Sequence, residues 1–157
     1  MDGKRELLRH AVATVAYRGG KPLRGAPATF ATFKASGASK TPVEILAHIG
    51  DLFDWALSIA KGAPQWRDAA PLPWDLEVAR FFETLAAFDA YLASGEPVAC
   101  PAEPLLQGPL ADALTHIGQI VLLRRVAGEP MRSENYFKAE IVAGRVGPVQ
   151  TPPKREF

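Results

Sequence analysis

Cysteine is almost missing from this sequence, since Cys100 is the single one in 157 residues. One cysteine cannot form an internal disulfide, which excludes a disulfide-stabilised secreted scaffold and is typical of a reducing compartment. An uninterrupted run of about 18 apolar residues, the length of a membrane span, is also missing. Charged residues interrupt the N-terminal stretch, which therefore does not read as a signal peptide. The sequence predicts a cytoplasmic protein without a membrane partner.

An excess of charge of one sign is missing too. The 18 lysines and arginines nearly balance the 17 acidic residues, for a formal net charge of +1, and the two signs are mixed along the chain. A nucleic-acid-binding protein usually shows a basic patch or stripe. The balance argues against a nucleic-acid partner and against binding to an anionic membrane surface.

What the sequence does contain is helical patterning. Hydrophobic residues make up 48% of the chain, which is enough for one domain over residues 1–157 with a real core. Apolar residues recur at helical spacing over about 3–17, from Pro42 to a stop at Gly62, over about 74–94 and over 105–126. The 14 prolines and 13 glycines cluster between these segments. We expect an all-α four-helix bundle at about 1–128 with long loops, such as 18–40.

The C-terminal extension, residues 129–157, has a different pattern. Residues 133–143 are compatible with a short amphipathic helix. The tail from 144 to 157 is rich in glycine and proline, and proline removes a backbone donor that a helix needs. We therefore expect an irregular tail that wraps the bundle, covers the functional site or mediates an oligomer contact such as that of a homodimer.

The second helix carries the first candidate functional residue. Its start, Thr41-Pro42-Val43-Glu44, is a capping box with proline at the first helical position. His48 follows in the second turn, on the face that also carries Ile45. An inward imidazole is either a hydrogen-bonded core residue or a metal ligand.

The fourth helix carries a stronger signal in Asp112, His116 and Gln119. Asp112 and His116 are four residues apart, so their side chains lie one turn apart on the same face. A carboxylate beside a neutral imidazole is a plausible set of ligands for a divalent cation. Gln119 continues this face and is expected to hydrogen-bond a ligand or a bound water.

Alternative roles exist for these acids. Asp112 also fits a carboxylate that stabilises the start of its helix after Pro109. Asp51 and Glu44 lie three residues after and four residues before His48, so either could replace Asp112 as a ligand or serve as a general base. Glu44 has a competing structural role in the capping box.

These residues resemble the DinB-like (YfiT-like) metalloenzymes, a family of four-helix bundles, over about residues 1–128. Members typically carry one histidine on the second helix and His-x-x-x-His, often followed by Gln, on the last. His48 matches the first position, His116 the second histidine of the pair, and Gln119 the glutamine. Asp112 stands where the first histidine of the pair is expected.

The resemblance implies a metal site between the second and fourth helices, with His48, Asp112 and His116 as ligands. It implies nickel or zinc, although two histidines and a carboxylate also suit iron or manganese. The implied activity is hydrolysis of a small molecule or transfer of a low-molecular-weight thiol. The alternative is a metal-free helical bundle that acts as a binding or dimerisation module, because a fold does not determine a function.

Overall fold

The computed structural model describes residues 2–157, and this part of the chain is built from helices. The long helices are α1 (Gly3–Leu23), α2 (Pro42–Ala60) and α3 (Trp74–Ala93). A short helix, α4 (Ala102–Leu105), passes through a π-helical turn (Leu106–Leu110) into α5 (Ala111–Val126). The prediction of an all-α four-helix bundle is confirmed, with α4 and α5 forming its fourth arm. None of the helices described is long and apolar enough to span a membrane.

The four arms form a ring in the order α1, α3, α2, α5, because each packs against the two next to it. The core between them consists of large side chains that are fully buried: Phe53, Phe81, Phe88, Leu46, Ile49, Leu85, Leu92, Leu105, Leu110, Ile120 and Val12. Burial of this apolar surface is the main term that stabilises such a bundle. Helices α2 and α5 are neighbours in the ring, so residues on their facing sides can meet.

Helix α2 begins as predicted. The Thr41 hydroxyl accepts from the Glu44 backbone N–H, and the Glu44 carboxylate accepts from the Thr41 N–H at 2.7 Å. These bonds satisfy two of the donors that a helix N-terminus leaves free. They also hold the pKa of Glu44 below its usual value. The capping box thereby fixes where the helix starts, and with it the position of His48.

Helix α1 is longer than predicted, because it continues through Gly19, Gly20 and Pro22 to Leu23. A Cβ on Gly19 would lie 2.5 Å from Phe81 Cζ, so the glycine allows close packing against α3. The buried Arg124 donates from Nη1 to the carbonyls of Pro22 and Arg24 at 3.1 and 3.2 Å. Tertiary contacts thus override the low helix propensity of glycine and proline.

The C-terminal extension covers α1 and contains only one short helical turn over its described length, Tyr136–Lys138. The prediction of a helix over 133–143 is wrong. Glu134 is buried and accepts from Tyr17 Oη at 2.5 Å and from Lys21 Nζ at 2.9 Å. Glu134 also forms an isolated antiparallel bridge with Glu156. These contacts with α1 and the tail hold the backbone of residue 134 in an extended conformation. A helix therefore cannot run through this residue.

Candidate metal centre

His48 projects from the second turn of α2 towards α5. Its imidazole is partly buried, with 27% of the side chain exposed. The ring packs edge-on against the ring of His116, with centroids 4.7 Å apart and an interplanar angle of 85°. The two histidines named from sequence therefore meet across the α2–α5 interface.

Asp112 and His116 lie one turn apart at the start of α5, as their spacing predicts. Asp112 Oδ1 is 3.4 Å from His116 Nε2, and Asp112 Oδ2 is 3.6 Å from His48 Nε2. The π-helical turn that contains Pro109 comes directly before α5. Such turns are frequent at functional sites.

One ligand atom from each of His48, Asp112 and His116 lies within 4.8 Å of the other two. Two ligands of one tetrahedral zinc ion, each at about 2.0–2.2 Å, are roughly 3.3 Å apart. The separations of 3.4 and 3.6 Å are near that value, and they end at the two different oxygens of Asp112. The donor set, two imidazoles and a carboxylate, therefore suits a divalent cation in its chemistry, and its ligand atoms lie close enough together to share one ion.

Gln119 orients the imidazole of His116. Its side-chain oxygen Oε1 is 2.8 Å from His116 Nδ1. A carbonyl oxygen can only accept, so Nδ1 carries the proton in this bond and Nε2 of the neutral ring keeps a lone pair. That lone pair lies on the side of Asp112. A metal-binding histidine is commonly fixed by a hydrogen bond from its other nitrogen in this way.

The charges of the cluster are compatible with a bound cation. In the tautomer in which Nδ1 donates to Gln119, the Nε2 lone pair of a neutral His116 ring faces the Asp112 carboxylate, and two groups that only accept repel each other at 3.4 Å. Either a proton on the imidazole or a metal ion between the groups removes the repulsion. With 46% of its side chain exposed, Asp112 is also open to the solvent side, so the cluster is accessible from outside.

Trp66 covers His48, and sequence reasoning did not assign it to the site. The indole packs against the His48 ring with centroids 5.6 Å apart, and against Trp55 at 5.7 Å. Trp66 lies in the loop between α2 and α3, and no spacing rule connects a loop residue to a helix face. Local sequence therefore held no signal for this contact.

Asp51 and Glu77 hold that loop in place. Asp51 Oδ2 accepts from the Ala69 N–H at 3.1 Å, and Glu77 Oε2 accepts from the Leu72 N–H at 2.9 Å. Both carboxylates also pair with Arg80, at 2.6 and 3.2 Å. The Asp51 carboxylate is thus engaged away from the histidines, so the structure does not support it as a ligand or general base.

Glu44 is likewise engaged, since its carboxylate accepts from both the backbone and the hydroxyl of Thr41. The structure gives it the capping role rather than that of a base. The third histidine, His10, is exposed on α1 and is not among the clustered ligands. Of the candidates named from sequence, His48, Asp112, His116 and Gln119 come together.

A cavity of about 400 Å³ opens beside the histidines, between the start of α2 and the middle of α5. His48, His116 and Gln119 form one side of it. Ile45, Leu122 and Leu123 supply apolar walls, and the exposed Lys40 lies at its edge. A concave, mostly apolar pocket with a few convergent polar groups is the usual form of a small-molecule site.

Comparisons with known proteins found no match to this chain among family models, curated proteins or solved structures.

Proposed function

We propose that this protein is a metal-dependent enzyme of the DinB-like type, which hydrolyses a small molecule or transfers a low-molecular-weight thiol to one. The main observation behind this proposal is that His48, Asp112 and His116 cluster, and that the two histidines also line an apolar cavity. Three protein ligands leave coordination positions for water or substrate, as in catalytic rather than structural sites. Nickel or zinc is the preferred ion, with iron or manganese as alternatives.

The chain's own residues have distinct roles in this proposal. His48, Asp112 and His116 hold the cation, and Gln119 keeps the Nε2 lone pair of His116 directed at it. A bound divalent cation supplies Lewis-acid chemistry, which lowers the pKa of a water or thiol beside it. Trp66 packs against the His48 ring, with centroids 5.6 Å apart, and limits the movement of the imidazole.

The cavity indicates the kind of substrate. Ile45, Leu122 and Leu123 favour an apolar body, while Lys40 favours an anionic group at the edge. A volume of about 400 Å³ suits a small organic molecule rather than a polymer. Cys100 is not part of this chemistry, because it lines a different cavity and burial raises the pKa of its thiol.

A comparison of turnover by metal-stripped and metal-reloaded protein tests this proposal. Protein reloaded with zinc, nickel, iron or manganese is compared with stripped protein on ester and amide substrates, and on thiol transfer to small electrophiles. We expect turnover that depends on the metal and is lost in His48→Ala/His116→Ala. Equal rates in the stripped, reloaded and variant proteins would contradict an enzyme at this site.

Gln119→Ala will weaken metal binding by about 10- to 100-fold, because a hydrogen-bonding partner of a metal ligand typically contributes that much. The substitution removes the acceptor of the 2.8 Å bond from His116 Nδ1 and keeps every ligand. Competition with a chromophoric chelator measures the change. The matched control is Gln107→Ala, an exposed glutamine outside the cluster, for which we expect no change. Equal affinities in the two variants would remove Gln119 from the site.

A cytoplasmic location and a homodimer stay predictions from the sequence.

The competing hypothesis is a metal-free bundle that acts as a binding module. Such a protein would have the same cavity but would bind no metal ion. It predicts that a small apolar molecule binds equally well to stripped protein and to protein reloaded with metal.

A further inference from the structure

A second pocket, of about 250 Å³, lies between α1, α5 and the segment 131–136 of the C-terminal extension. Its α5 residues are Ile117, Gly118, Val121 and Arg125. At about 100° per residue, this face of α5 is opposite the face that carries His116, Gln119 and Leu123. The pocket is therefore separate from the candidate metal centre, and we call it the arginine pocket.

Three guanidinium groups line the arginine pocket, from Arg18, Arg125 and Arg132. Arg18 lies over the ring of Tyr136, 4.2 Å from its centroid, and Arg125 Nη2 is 3.4 Å from Ser133 Oγ. Arg132 is 74% exposed and 3.8 Å from Glu156. Within residues 2–157, the ion pairs that the structure forms do not include Arg18 or Arg125. The pocket thus holds two guanidinium groups without a carboxylate partner.

The carboxylate in this pocket does not neutralise them. Glu134 has no exposed side-chain surface and accepts from Tyr17 and Lys21. Its carboxylate faces Lys21 at 2.9 Å on the α1 side, and Lys21 is shared with Glu156 at 2.8 Å. The arginines therefore leave the pocket with an excess of positive charge. Arginine presents its donors as a planar fork that matches carboxylate and phosphate oxygens.

Gly118 provides an independent observation. A glycine inside a helix lowers helix stability relative to alanine, so its presence needs a reason. Close packing is the reason at two other helical glycines. A Cβ on Gly19 would lie 2.5 Å from Phe81, and a Cβ on Gly50 would lie 2.9 Å from Arg80. A Cβ on Gly118 would meet none of the described atoms within 4 Å. Packing does not require this glycine, but the missing side chain keeps the arginine pocket open.

We propose that the arginine pocket binds a small organic anion with a carboxylate or phosphate group. Arg18 and Arg125 hold the oxygens, and Tyr136 fixes the guanidinium of Arg18 in place. Ile117, Val121 and Met131 provide an apolar surface for the rest of the molecule. The site lies away from the histidines, so this inference does not depend on the proposed function.

Calorimetric titration of the full chain with phenyl phosphate, benzoate and inorganic phosphate tests the proposal. We expect at least one of the organic anions to bind with a submillimolar dissociation constant, more tightly than inorganic phosphate and more weakly as salt is raised. Phenyl phosphate and benzoate distinguish the two anionic groups. Failure of all three probes to bind at millimolar concentration would overturn the proposal.

Substitutions in and outside the arginine pocket show which residues bind the anion. Arg18→Gln and Arg125→Gln change exposed side chains and should each weaken binding at least tenfold, whereas Arg67→Gln, an exposed arginine elsewhere, should not. Gly118→Phe fills the pocket and should abolish binding, with Gly118→Ala as its control and circular dichroism to verify folding. Binding should be unchanged in His48→Ala/His116→Ala. Unchanged binding in both pocket arginine variants, or loss in the histidine variant, would contradict the assignment.

Discussion

His116→Ala will weaken binding of zinc or nickel by at least about 100-fold, because removing a ligand costs more than removing its hydrogen-bonding support. His116 Nε2 lies 3.4 Å from Asp112 Oδ1, and Gln119 orients this candidate ligand by its hydrogen bond to Nδ1. The remaining pair, His48 and Asp112, would hold the ion with two ligands. Competition with a chromophoric chelator on metal-stripped protein measures the affinity.

The matched control for this variant is His10→Ala, which removes an exposed histidine outside the cluster. We expect its affinity to equal that of the unmodified protein. If His116→Ala and His10→Ala bound metal equally, the ion would be held elsewhere and the assignment of His116 would be wrong.

Arg80→Met will lower the free energy of unfolding by roughly 3 kcal/mol or more, because it leaves buried carboxylates without their cation. Arg80 pairs with Asp51 at 2.6 Å and with Glu77 at 3.2 Å, and neither carboxylate has more than 4% of its side chain exposed. These carboxylates, with Asp54, also raise the pKa of Arg80. Urea denaturation measures the loss.

Arg67→Met is the control for that experiment, since Arg67 is exposed in the loop and its loss should cost little. Arg80→Met should also release Trp66 from His48, because Asp51 and Glu77 tie down the loop that carries the indole. Tryptophan fluorescence reports this change. A stability for Arg80→Met within 0.5 kcal/mol of the control, on the order expected for a surface substitution, would contradict the role of Arg80.

The candidate site could be predicted from sequence where it depends on helical spacing. Asp112, His116 and Gln119 are three or four residues apart on one helix, so local geometry alone places them on one face. The capping box at Thr41 likewise set the start of α2 and the turn that holds His48. The prediction that His48 faces α5 came from the family resemblance. Residue spacing within α2 does not show which helix packs against it.

The parts that could not be predicted depend on long-range contacts. Trp66 reaches His48 because buried carboxylates on α2 and α3 hold its loop. The last turn of α1 persists through glycine and proline because Phe81 and Arg124 pack against it. The backbone at residue 134 is extended because Glu134 pairs with Tyr17 and Lys21. Partners more than 100 residues apart in sequence leave no local pattern.

The metal content of the purified protein is the most direct test of the candidate metal centre. Elemental analysis is done on protein purified without a His tag, beside the His48→Ala/His116→Ala variant. We predict about one equivalent of nickel, zinc, iron or manganese in the native protein and its loss in the variant. Native protein that holds no metal, and takes up none on reconstitution, would contradict the metal centre and leave a helical binding module.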